Sequence, residues 1–75
     1  MKRHKYSVAA NPDVITYLVN NSIWFVFAKG IQRQRRRVYF IATTEQVETL
    51  TKLTGWHVDD ENDGWDFDGW NAIER

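Results

Sequence analysis

Arg35-Arg36-Arg37-Val38-Tyr39-Phe40-Ile41-Ala42-Thr43-Thr44-Glu45-Gln46 changes its periodicity partway along, and that change decides the fold. From Arg35 to Ala42 a two-residue repeat sets Arg35, Arg37, Tyr39 and Ile41 on one side. Arg36, Val38, Phe40 and Ala42 fall on the other, as in a strand. Thr43-Thr44-Glu45-Gln46 then matches a capping box, with Thr43 capping a helix and Gln46 reaching back to it. Val47, Leu50 and Leu53 follow at helical spacing. Glu48 and Lys52 form a favourable pair one turn apart, and Gly55 supplies a left-handed stop.

Upstream, Ile23-Trp24-Phe25-Val26-Phe27-Ala28 is a β-branched and aromatic run of strand length, apolar on both faces. Lys29 to Gln34 is polar, holds Gly30 and suits a hairpin loop into Arg35. Before it, Asn11-Pro12-Asp13 reads as a helix start: a cap, a proline suited to the first turn, and an acid at the positive helix end. Val14, Ile15, Leu18 and Val19 give that helix one apolar stripe, and Asn20 and Asn21 are suited to end it. Tyr6 to Ala10 alternates as a short strand. Met1 to Lys5 is expected to be a basic flexible lead.

Downstream, Trp56 to Asp60 and Trp65 to Gly69 are expected to form an acidic hairpin turned by Glu61-Asn62-Asp63-Gly64. Trp56, Val58, Trp65 and Phe67 would share one face, and His57, Asp59, Asp66 and Asp68 the other. Residues 70–75 read as one helical turn or a C-terminal tail. The fold class that follows is α+β: one small domain over residues 1–75, with an antiparallel sheet and two short helices. The order β-α-β-β-α-β is that of the ferredoxin-like split βαβ plan, with the acidic hairpin added; the alternative is a β-hairpin covered by two helices. The expected core is Val14, Ile15, Leu18, Val26, Val38, Phe40, Val47, Leu50 and Leu53.

Composition narrows the function. The chain has 75 residues, 43% hydrophobic and 15% aromatic, and no net charge. A chain of this size buries only about 60% of its unfolded surface, which leaves little room for an enclosed active site. Without cysteine there are no disulfides, thiolate metal sites or thiol nucleophiles. No apolar run reaches the roughly 18 residues of a membrane span, and no signal-peptide core follows the basic start, so a soluble cytoplasmic chain is expected.

The zero total hides an asymmetry. Up to Phe40 there are eight cations against Asp13 alone, a net of +7; beyond it Lys52 and Arg75 face nine acids, a net of −7. Such asymmetry points to an interaction surface, unless the halves neutralise each other within the fold.

Four tryptophans exceed what a core this small readily absorbs, and tryptophan is enriched among binding hot spots. The expected function is therefore non-enzymatic binding of a protein partner, as an inhibitor or adaptor of a larger complex. Trp65, Asp66, Phe67, Asp68 and Trp70 would form the contact surface. The alternative is nucleic-acid binding through Arg33, Arg35, Arg36, Arg37 and Tyr39, where guanidinium groups would meet phosphates and an aromatic ring would stack on bases. An aromatic edge strand would also suit pairing across a homodimer.

No cofactor or metal is expected. Asp59, Glu61, Asp63 and Gly64 match the start of a calcium loop, but Trp70 stands where its bidentate glutamate belongs. His57 beside Asp59 and Asp68 suggests a dyad, yet no serine elbow, phosphate loop or zinc motif accompanies it.

Overall fold

A computed structural model describes residues 2–29, 36–62 and 68–73. In chain order they form β1 (Arg3–Ala9), α1 (Pro12–Asn20), β2 (Phe25–Lys29), β3 (Arg36–Thr43), α2 (Thr44–Thr54), β4 (Val58–Asp60) and α3 (Asp68–Ile73). The four strands make one sheet in the order β2-β3-β1-β4, with every neighbouring pair antiparallel. β1 and β2 both run opposite to β3, which lies between them, and this is the split βαβ arrangement.

Local chemistry sets the element boundaries. The Asn11 side chain accepts from the Val14 N–H at 3.1 Å, and Pro12 opens α1. The Thr43–Gln46 capping box is complete at the start of α2. α1 ends at Asn21, but the left-handed residue there is Ser22, with φ at 56°. Gly55 ends α2 at φ 74°, with open space where a Cβ would sit. Gly55→Ala therefore meets only backbone strain and is expected to lower stability by about 1 kcal/mol. Urea unfolding checks this: an unchanged midpoint would mean that the cap is not needed.

The sheet has two differently covered faces. Tyr6, Val8, Val38, Phe40 and Ala42 point towards α1 and α2 and pack with Val14, Leu18, Ile23 and Leu50. Tyr39, Ile41, Val26 and Ala28 point the other way and pack with Trp70 and Ile73 of α3.

Four expectations change. Arg3 to Lys5 are not a loose lead, because they continue β1 and pair with Thr43, Ala42 and Ile41. Leu53 is 71% exposed rather than core, and Val26 belongs to the α3 side. Asp68 and Gly69 begin a helix instead of closing a strand, and of the two readings of the C-terminal residues the helical one holds over 70–73. β4 pairs with β1 (Ser7 opposite Asp59), a partner that the expected acidic hairpin does not include. The proposed return segment 65–67 and the loop 30–35 lie outside the described residues.

Candidate binding surface

The sequence placed the protein-contact surface at Trp65, Asp66, Phe67, Asp68 and Trp70. Asp68 is exposed at the start of α3, while Trp65, Asp66 and Phe67 lie outside the described residues. Trp70 is 1% exposed. Its ring meets Tyr39 edge-on, with centroids 5.7 Å apart, and the Lys5 ammonium lies 5.6 Å from its centre. α1 and α2 shield only one side of the sheet, so the apolar side chains on the other side need a lid, and Trp70 supplies it. Trp70 is thus a core residue here, and its expected role as an exposed anchor is corrected.

The arginine set divides in the same way. Arg33 and Arg35 lie outside the described residues. Arg36 is exposed, with its guanidinium over the Phe27 ring at 5.1 Å. Arg37 and Tyr39 face α3 and are buried, at 7% and 0% exposure, so neither presents itself to a nucleic acid.

Arg37 is the hub of a buried polar cluster. Its Nη2 donates to Asp59 and its Nε donates to the Ser7 hydroxyl at 3.2 Å; that hydroxyl donates to Glu61. The Arg37–Asp59 pair joins the basic and acidic halves of the chain across the intervening strand β1. His57 Nε2 approaches the other Asp59 oxygen at 3.4 Å, but Asp68, its other expected neighbour, sits in α3. Ser7 is fully enclosed, so this cluster offers no nucleophile to a substrate. Asp59 accepts from Arg37 and Glu61 from Ser7; Asp63 and Gly64 lie outside the described residues. Among the described residues no group of three potential metal ligands comes together. Beside the cluster, the Asn62 backbone and side-chain N–H groups donate to Asp60 and hold its carboxyl below the usual range.

Leu53 and Trp56 are exposed singly, whereas a contiguous apolar strip lies at the end of α1 and along β2. Trp24 is 78% exposed and, with Val19, Ile23 and Phe25, lines a shallow groove between the end of α1 and the start of β2. Phe27, 44% exposed, extends this strip along β2, its ring 5.6 Å from that of Phe25. The Asn21–Ser22 turn creates the arrangement. It returns the chain so that the Ile23 N–H donates to the Leu18 carbonyl at 2.9 Å and Ile23 enters the core, leaving Trp24 outside. The sequence of Ile23–Ala28 is apolar on both faces and does not by itself say which of its rings stays exposed. One signal in the sequence points to this region: from Val14 to Thr44 there is no acidic residue.

Comparisons with protein-family models, with curated proteins and with solved structures find no match. No helix among the described residues is long and apolar enough to cross a membrane.

Proposed function

We propose that this chain is a non-enzymatic protein-binding module, acting by occluding or tethering a larger partner. Its contact surface is the strip of Val19, Trp24, Phe25 and Phe27, with Asp68 at the start of α3 as a separate polar site. The observation that carries this reading is Trp24: an indole left 78% in water beside an apolar groove in a domain that encloses Trp70 almost completely. Large exposed aromatics next to apolar grooves are the usual anchors of protein interfaces.

The test is affinity capture from a host lysate with nuclease present, comparing the unaltered chain with Trp24→Ser. The variant should unfold within about 0.5 kcal/mol of the original, since the side chain is exposed. Its affinity for the captured protein should fall about 30-fold, the scale of a hot-spot residue. Equal capture by both chains would remove the basis of this reading.

The competing reading, nucleic-acid binding, draws on Arg36 stacked over Phe27 with Lys29 as its register partner. It requires co-purified material that disappears with nuclease, and an affinity that falls by orders of magnitude between about 50 and 200 mM salt.

A further inference from the structure

The following rests on the reading that the Trp24 and β2 surface binds a protein, and concerns the shape and chemistry of what binds. The two edges of the sheet are built differently. β4 is three residues long and carries Asp59 and Asp60, a short charged edge that discourages further pairing. β2 is Phe25-Val26-Phe27-Ala28-Lys29, and among the described residues nothing pairs with its outer side. Alternate residues of such a strand direct their N–H and C=O groups outward. Lys29 and Arg36, both exposed, are register partners at one end of the β2–β3 ladder. Neither strand contains an acidic residue.

We propose that the outer edge of β2 receives an extended segment of a partner protein, antiparallel to β2, with alternating apolar side chains and acidic residues at its N-terminal end. That end lies beside Lys29 and Arg36. The antiparallel direction continues the pattern of the whole sheet and is the more stable pairing per residue. Main-chain hydrogen bonds would supply affinity, and the Phe25–Phe27 strip and the two cations would supply selectivity. A second copy of this chain fits less well. Two-fold pairing centred on Phe27 brings together the two Arg36 guanidinium groups stacked on those rings, with no acid on either strand to offset them. A nucleic acid would meet the cations without continuing the ladder.

The test uses the full chain and three fluorescent peptides of roughly ten alternating valine and threonine residues, long enough to span β2. One carries glutamates at its N-terminus, one carries them at its C-terminus, and one carries lysines at its N-terminus. Fluorescence polarisation gives affinities, and amide hydrogen exchange locates the contact. The N-terminally acidic peptide should bind about tenfold tighter than the N-terminally basic one, and should slow exchange in β2. Lys29→Glu with Arg36→Glu, both exposed changes, should invert that preference while leaving the melting curve close to the original.

Equal binding of acidic and basic peptides would overturn the proposal, as would a preference for the C-terminally acidic peptide or no inversion in the double variant. So would a concentration-dependent dimer that already protects β2, or a single-stranded oligonucleotide that slows β2 exchange more than any peptide. If no peptide binds while Trp24-dependent capture persists, the strand-addition proposal fails and the binding reading stands. If capture does not depend on Trp24, the reading beneath it fails.

Discussion

Trp70→Ala is expected to remove about 4 kcal/mol of stability, the usual loss for a buried indole cut back to a methyl group. A domain of this length has only about 4 to 11 kcal/mol in total, so the variant should lie at the margin of folding. The loss should begin in α3. Trp70 and Ile73 hold this six-residue helix against Tyr39, Val26, Ala28 and Ile41, and a helix so short has little stability of its own. Urea unfolding followed by circular dichroism measures the whole loss, and amide exchange in α3 measures the local part. The same experiments on Trp24→Ser should show almost no change. If Trp70→Ala unfolds at the original midpoint with α3 still protected, Trp70 does not cover the sheet as described.

Arg37→Ala should cost about 3 kcal/mol. A buried ion pair adds little net stability while intact, but removing one member leaves the other stranded. Here the change leaves Asp59 without its guanidinium and Ser7 without the Nε donor, although the 28% exposure of the Asp59 side chain lets water relieve part of the loss. The double variant Arg37→Ala with Asp59→Ala should therefore cost less than the sum of the two single changes. A double-mutant cycle by urea unfolding checks both statements. A zero coupling would mean that the pair across β1 does not act as a unit.

Both predictions turn on residues whose side of the sheet was legible and whose surroundings were not. Alternation along Arg35–Ala42 put Arg37, Tyr39 and Ile41 on one face without showing what covered that face. The cover comes from α3, a segment more than twenty residues away whose start was read as strand. Asp66-Phe67-Asp68-Gly69 alternates over too few positions to separate a strand from the entry to a helix. The helix boundaries were readable for the opposite reason. The Asn11 cap, the Thr43–Gln46 box and the Gly55 stop each depend on residues only a few positions apart.

Leu53 shows how a spacing argument drifts. Steps of three fall short of the 3.6-residue turn, so Leu53 lies about 120° around α2 from Val47. The stripe has left the core by then, and Leu53 is exposed. The charge asymmetry was visible by counting, but the Arg37–Asp59 pair depends on β1 lying between β3 and β4, a long-range order no local pattern encodes. For the surface, a count of tryptophans does not say which ring is enclosed: Ser22 turns the chain so that Trp24 is left outside, while Trp70 fills the uncovered face.

The most direct test follows the side-chain indole N–H signals of 15N-labelled chain by NMR while the captured partner is added. The Trp24 signal should shift or broaden with added partner, and the Trp70 signal should hold its position. Movement of the Trp70 signal with Trp24 unmoved would contradict the assignment of the Trp24 indole to binding and the Trp70 indole to the core.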